Sequence, residues 1–118
     1  LAGGRVRKSD SAIIGENTAN YFKEFKVDYA IVGISAIDND GSLMDFDRRE
    51  STVSKAIFEN SRKLILVADD IKFQRTAPMI TGNISEVDIL VTNNKPPPEI
   101  IDICNSNSID IVIAKENT

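Results

Sequence analysis

The 118-residue sequence contains no histidine and a single cysteine, Cys104. Without histidine, zinc sites of the usual Cys/His type and catalysis by a Ser-His-Asp triad are excluded, and one cysteine cannot form an internal disulfide. No apolar run reaches the roughly 18 residues that a membrane-spanning helix needs, and the sequence contains no signal-peptide pattern. Lysine and arginine number 14 against 18 aspartates and glutamates, so this segment lacks the basic surface that holds DNA directly. We therefore expect a cytoplasmic protein.

The apolar residues that are present follow two alternating patterns. Short apolar runs predict four strands, of which the first should be covered on both faces, at residues 29–34, 64–68, 89–91 and 109–114. Helical spacing and a proline run predict helices at residues 16–25, 47–61 and 96–106. Turn-forming residues predict loops at residues 35–42 and 81–88. The alternation predicts an α/β domain, or a large piece of one, with a parallel sheet flanked by helices.

Local signals refine this prediction at two places. Asp47 is the predicted N-cap of the helix at residues 47–61, and Glu50 is its capping-box partner. Asn93 and Asn94 are expected to serve the turn before the proline run, and Cys104 to pack among apolar neighbours.

Polar residues follow three of the predicted strands. In parallel sheets, ligands bind in the crevice at the carboxyl ends of the strands, and the loops there span residues 33–41, 69–75 and 92–96. Their carboxylates and Lys72 suit a small polyol phosphate, because carboxylates accept hydrogen bonds from hydroxyls and an ammonium attracts phosphate. On the residues alone, Asp69 and Asp70 could equally be turn or cap residues, and Lys72 a solvated lysine.

Several pieces of the sequence occur together in the order of one bacterial family. The string GISAIDNDGSLMDFDRRESTVSKAIFENSRKLILVADDIKF, residues 33–73, resembles the effector-binding domain of DeoR-type transcriptional repressors. The family pattern is G-x-x-G-I-D-x-x-x-G, then a glutamate that opens a helix, then A-D-x-S-K-F-G. The opening LAGG and the later IIGE also match. These pieces, with IFENSR and the triple proline, are most similar to the branch of the family that responds to glycerol 3-phosphate.

The resemblance implies a repressor with an N-terminal winged helix-turn-helix and a C-terminal sensor of the ribose-5-phosphate isomerase/glucosamine-6-phosphate deaminase-like fold. Residues 1–118 would then be the C-terminal part of that sensor, incomplete at its N-terminus. The absent portion would include the winged helix-turn-helix, which holds operator DNA, and the D-x-G-T/S-T phosphate loop. The intact protein would be a homo-oligomer with no membrane partner.

The same resemblance implies an effector-binding set. Lys72 would contact the phosphate, and Asp69 would organise the loop or bind a hydroxyl. Ile71 and Gln74 depart from the serine and glycine that are common in the family. The other residues that the resemblance implies are Asp38, Glu50, Gly3, Gly4, Gly33 and Gly41.

These additional residues also have purely structural interpretations. Asp38 and Gly41 could form a plain turn, and Glu50 could act only in the capping box. Gly33 could serve close backbone packing, and Gly3 with Gly4 a bend between strand and loop.

The resemblance favours a sensor over an enzyme. Ser35 stands where the related isomerases carry an aspartate, and no glycine-rich loop with a lysine lies between Gly41 and Glu50. Enolisation needs both a base and a polarising group, so we expect no catalysis, no cofactor and no metal. The effector would be a small phosphorylated polyol or sugar, glycerol 3-phosphate by resemblance, and its binding would release the operator.

Two alternatives remain open at this point. One is a sugar-phosphate isomerase or deaminase of the same fold. The other is a phosphoacceptor receiver domain, suggested by Asp69 and Asp70 at a strand end. In receivers the lysine follows the last strand, whereas Lys72 is only three residues beyond Asp69.

Overall fold

The computed structural model describes residues 26–114 and, in backbone only, two short strands before them. Gly3, Gly4, the helix predicted at residues 16–25 and the tail at residues 115–118 lie outside the described residues. In chain order the elements are β1 (Arg5–Val6), β2 (Ile13–Ile14), β3 (Val27–Val32), β4 (Ala36–Ile37), β5 (Ser42–Asp45), α1 (Arg48–Glu59), β6 (Ser61–Val67), a 3-10 turn (Asp70–Gln74), β7 (Met79–Asn83), a second 3-10 turn (Ile84–Glu86), β8 (Ile89–Thr92), α2 (Pro98–Ser106) and β9 (Asp110–Ile113).

A four-stranded parallel sheet forms the centre of the described structure. Its strand order is β3-β6-β8-β9, and every neighbouring pair is parallel. The predicted α/β class with a parallel sheet is therefore confirmed. One core cluster joins strand residues such as Leu66 and Leu90 to Ile100 and Cys104 of α2, and burying each large aliphatic side chain contributes about 1.5–3 kcal/mol.

Helix α1 begins directly after its predicted N-cap, whereas α2 begins at Pro98, two residues after the predicted start at residue 96. Asp47 is the N-cap of α1, and its Oδ1 accepts a hydrogen bond from the backbone N of Arg49 at 2.7 Å, a contact worth about 1 kcal/mol. Val53 and Ala56 form the buried stripe of that helix. Pro98 opens α2, where its missing N–H costs nothing because first-turn donors have no partner within the helix.

A second, antiparallel sheet was not expected. Its strand order is β4-β5-β7, so the structure corrects the loops predicted at residues 35–42 and 81–88. The physical reason is that these strands carry little periodic signal. β4 has two residues, β7 contains Gly82, and the pairing of β5 with β7 shifts register between Leu43 and Met44, which breaks the alternation of apolar and polar positions.

Several side chains on one face of the parallel sheet are exposed in the described structure. The strand order follows the chain order, and right-handed connections then place the crossing segments on a single face. Side chains that point the other way stay accessible, with Tyr29 69% and Ile31 72% exposed. The prediction that this first strand is covered on both faces is therefore wrong for the described structure. Among the described residues, no helix has the length and apolar character to span a membrane.

Candidate functional site

The turn after β6 carries two residues of the predicted effector site, Asp69 and Lys72. Asp69 is the N-cap of the 3-10 turn, and its Oδ1 accepts a hydrogen bond from the backbone N of Ile71 at 3.1 Å. Its Oδ2 lies 3.4 Å from Lys72 Nζ. β6 ends at Val67, so the pair lies at the carboxyl end of that strand, as predicted.

The Asp69–Lys72 pair is open to solvent on one side. The side chain of Lys72 is 24% exposed and that of Asp69 is 49% exposed. An ion pair with this much exposure contributes only about 0–1 kcal/mol to stability. An anion could therefore draw the ammonium away from Asp69 at little cost to the fold, and phosphate is a strong acceptor for such a donor.

Asp70, the neighbour of Asp69, faces the loop that follows β8. Its backbone N donates to Asn93 Oδ1 at 2.7 Å, and Asn93 Nδ2 donates back to Asp70 Oδ1 at 3.3 Å. Asn94 Nδ2 donates to Asp70 Oδ2 at 2.8 Å. The hydrogen bonds from Asn94 and Asn93 lower the pKa of Asp70, because they favour the ionised carboxylate. We call these three residues the Asp70 clamp.

A buried polar cluster lies where the loop after β3 meets β5, α1 and β7. Asp45 accepts hydrogen bonds from Thr81 Oγ1 at 2.6 Å and from Ser35 Oγ at 3.3 Å. Thr81 Oγ1 also lies 3.0 Å from Ser51 Oγ. Since the single Thr81 proton is directed at the carboxylate, Ser51 donates to Thr81. Asp45 thus accepts from Ser35 on one oxygen and from Thr81 on the other, and Ser51 donates in turn to Thr81. We call these four residues the Asp45 cluster.

Burial dominates the protonation of Asp45. The residue is 4% exposed, and loss of hydration raises its pKa, while the hydrogen bonds from Thr81 and Ser35 oppose that rise. Both carboxylate oxygens are already engaged. Asp45 therefore fixes the junction of β5 with α1 and β7.

Asp38 and Gly41 form the tight turn between β4 and β5. Asp38 Oδ1 accepts a hydrogen bond from the backbone N of Asn39 at 2.8 Å, and Gly41 N donates to Asp38 O at 2.9 Å. Gly41 has φ +88°, and an added Cβ would lie 2.9 Å from Asn83 Oδ1. The turn has a structural reason for both residues. The strand before this turn, β4, lies beside the 3-10 turn that carries Lys72.

Glu50 and Gly33 are the remaining residues of the predicted set that the structure describes. Glu50 is half-buried in the first turn of α1. The next residue, Ser51, belongs to the Asp45 cluster. Gly33 follows β3, and an added Cβ would meet Val67 O at 3.9 Å, an ordinary contact. Close backbone packing is therefore not the reason for glycine at position 33. Across the part of the chain that the structure describes, no three His, Cys, Asp or Glu side chains are grouped to hold a metal.

Comparison with known proteins decides the family. The model of the DeoR C terminal sensor domain matches residues 1–94. The chain belongs to this family. The glycerol-3-phosphate regulon repressor of Escherichia coli (strain K12) is 43% identical over 111 residues, which are 94% of this chain and 44% of that protein. The repressor of the same name from Haemophilus influenzae is 49% identical over 96 residues, 81% of this chain and 37% of its own length.

A third relative carries a different name. The HTH-type transcriptional repressor CsqR of Escherichia coli (strain K12) is 34% identical over 117 residues, covering 99% of this chain and 45% of that protein. This DeoR-family chain thus spans less than half the length of the curated relatives described here.

Two groups of side chains in this DeoR sensor domain escaped prediction from its sequence. The hydrogen bonds of the Asp45 cluster join residues up to 36 positions apart, and the only local signal for the cluster was an aspartate inside a strand. The partners of Asp70 in the clamp lie 23 and 24 positions away from it. Two carboxamides at a neighbouring strand end were a signal for this contact, but Asn93 and Asn94 are interpreted from the sequence as turn residues. The resulting arrangement places the Lys72 ammonium with carboxylates and amides at adjacent strand ends, which suits a small ligand with a phosphate and hydroxyls.

Proposed function

We propose that this chain senses an effector for a DNA-binding repressor by binding a small phosphorylated polyol at the carboxyl ends of β6 and β8. The observation that carries the proposal is the ammonium of Lys72, held 3.4 Å from Asp69 Oδ2 at the sheet edge. Phosphate would take this ammonium, and the carboxylate released from it could accept a hydrogen bond from an effector hydroxyl. The relatives named glycerol-3-phosphate regulon repressor support glycerol 3-phosphate as the effector.

A binding role fits the loop after β3 better than catalysis does. Ser35 stands where the related isomerases carry an aspartate, and its hydroxyl donates to Asp45. Asp45 is itself buried and engaged by hydroxyls on both oxygens, so it is not offered to a substrate as a base. The names of the relatives, which are repressors, favour the same reading over a sugar-phosphate isomerase or deaminase.

The rest of the proposal concerns the intact protein. We infer that a winged helix-turn-helix outside this chain holds the operator, that the sensor has the ribose-5-phosphate isomerase/glucosamine-6-phosphate deaminase-like fold, and that the repressor is a homo-oligomer. Asp38, Glu50 and the glycines of the predicted set complete the effector site in this reading. The effector releases DNA only if it binds the DNA-free arrangement more tightly, because equal affinity for both arrangements shifts no population.

Substitution of Lys72 tests the phosphate contact. In the full-length protein, Lys72→Ala should weaken the binding of radiolabelled glycerol 3-phosphate in equilibrium dialysis by about 10- to 100-fold, since a hydrogen bond to a charged group contributes about 1.5–3 kcal/mol. Lys55→Ala is the matched control, because Lys55 is exposed in the middle of α1 and loses the same charge.

Two results would contradict the proposal. If the Lys72→Ala and Lys55→Ala variants bound glycerol 3-phosphate with equal affinity, Lys72 would make no contact with the phosphate. Steady conversion of a sugar phosphate by the wild-type protein would replace the sensor with an enzyme.

A further inference from the structure

The turn that carries Lys72 has little hydrophobic support. It is a five-residue 3-10 turn without a fully buried residue, and Ile71 within it is 49% exposed. Phe73 alone packs against the core cluster. Runs of 3-10 geometry are intrinsically weak, so polar contacts should add to the support that this turn receives from Phe73 and from its neighbour β4.

The Asp70 clamp supplies those contacts. The last sheet hydrogen bond between the two strand ends runs from Ala68 N to Val91 O at 2.9 Å. Beyond it, three further hydrogen bonds of the clamp join the turn to the loop after β8. Both carboxylate oxygens of Asp70 are used in this way, which leaves Asp69 as the carboxylate that faces Lys72.

The loop on the other side of the clamp is a rigid support. Asn94 is followed, after one residue, by Pro96, Pro97 and Pro98, whose rings fix φ near −65°. Pro96 is buried and Pro98 opens α2. The clamp therefore attaches the weakly held turn of Lys72 to a stiff segment that leads directly into a helix.

We propose that Asp70, through Asn93 and Asn94, is a positioning residue that holds the Lys72 ammonium ready for the effector phosphate. The inference rests on the proposed function and deepens it. Asp70 makes no effector contact. It raises affinity because a turn that is already ordered loses less conformational freedom when the ligand binds.

An exchange of the two clamp side chains tests this inference in the full-length protein. Asn94→Asp sets two carboxylates against each other, whereas in Asp70→Asn the Asn94 amide can turn over and accept a hydrogen bond from the new amide. The double variant Asp70→Asn/Asn94→Asp restores one amide–carboxylate bond and keeps the composition and net charge of the wild type. Asn94→Asp should bind glycerol 3-phosphate about tenfold more weakly and Asp70→Asn should lose less, and the double variant should recover most of the loss of Asn94→Asp. Unfolding midpoints, measured alongside, should not follow this pattern of loss and recovery.

The outcomes separate this inference from the function beneath it. If Lys72→Ala weakens binding but Asn94→Asp binds like the wild type, the clamp has no positioning role and the sensor proposal stands. Equal losses in Asn94→Asp and in the double variant would also overturn the clamp, because rescue would be missing. If the wild type binds no phosphorylated polyol or sugar, the proposed function fails and the inference fails with it.

Discussion

Two substitutions of Asp45 should separate the stabilisation by its hydrogen bonds from the destabilisation by its buried charge, both measured as the free energy of unfolding. Asp45→Ala removes the carboxylate to which Thr81, itself only 4% exposed, donates at 2.6 Å, and leaves Thr81 only the longer contact with Ser51 Oγ at 3.0 Å. A hydrogen bond to a charged group contributes about 1.5–3 kcal/mol. Ser35 is half-buried and can turn to water. We therefore expect Asp45→Ala to lower the free energy of unfolding by about 2 kcal/mol.

Asparagine at position 45 should be tolerated much better. Its side-chain oxygen can still accept from Thr81, and its amide can donate to Ser35 once that hydroxyl rotates. The buried charge disappears at the same time. We expect the free energy of unfolding of Asp45→Asn to stay within about 1 kcal/mol of the wild type at neutral pH.

The dependence on pH gives the sign of the charge effect. Burial raises the pKa of Asp45 in the folded protein, so the folded state binds this proton more readily than the unfolded state does. The contribution of Asp45 to stability therefore grows as the pH falls through the raised pKa, until the unfolded carboxyl is protonated as well. Relative to Asp45→Asn, the wild type should gain stability as the pH falls from neutral towards the ordinary pKa of an aspartate.

Denaturant titration of the full-length variants, followed by circular dichroism, measures these differences. The comparison with Asp45→Asn cancels the titration of the other carboxyl groups. The reasoning would be refuted if Asp45→Ala were as stable as the wild type, or if Asp45→Asn cost as much as Asp45→Ala. A wild-type advantage that stayed constant with pH would refute the raised pKa.

Two further substitutions test the described packing. Thr92 Oγ1 is buried without a hydrogen-bond partner, so Thr92→Val should raise the free energy of unfolding by about 1 kcal/mol while Thr92→Ser should not; a loss in Thr92→Val would mean that the hydroxyl has a partner in solution. Gly41→Ala should lower the free energy of unfolding by about 1–3 kcal/mol, because φ at Gly41 is +88° and the new Cβ would lie 2.9 Å from Asn83 Oδ1. Gly33→Ala is its control, with only Val67 O at 3.9 Å, and equal effects of the two changes would refute the strain at Gly41.

The features that the sequence predicts correctly are those with a local cause. The cap of α1 is a single residue with a known preference, and the runs that became β6 and β8 are long and apolar enough to be recognised alone. The second sheet lacks such a cause, because β4 is two residues long and its pairing depends on β5 and β7. Exposure of Tyr29 and Ile31 follows from strand order, which apolar runs do not encode.

In the candidate site too, the contacts between residues close in sequence were predictable and the long-range contacts were not. Asp69 and Lys72 are three positions apart, so a strand followed by a short turn suffices to bring them together. Asp70 looks equivalent to Asp69 in the sequence, and its different role appears only when pairing of β6 with β8 sets Asn93 and Asn94 opposite it. Asp45 likewise needs the antiparallel register that carries Thr81 to it.

Calorimetric titration of the full-length protein with glycerol 3-phosphate, glycerol and a hexose phosphate tests the central claim most directly. The account predicts saturable heat with glycerol 3-phosphate and none with glycerol, because the phosphate is what Lys72 binds. Saturation by the hexose phosphate instead would keep a phosphate sensor and change its effector. Saturation by glycerol as strongly as by glycerol 3-phosphate, or by none of the three, would contradict a phosphate-binding sensor at the ends of β6 and β8.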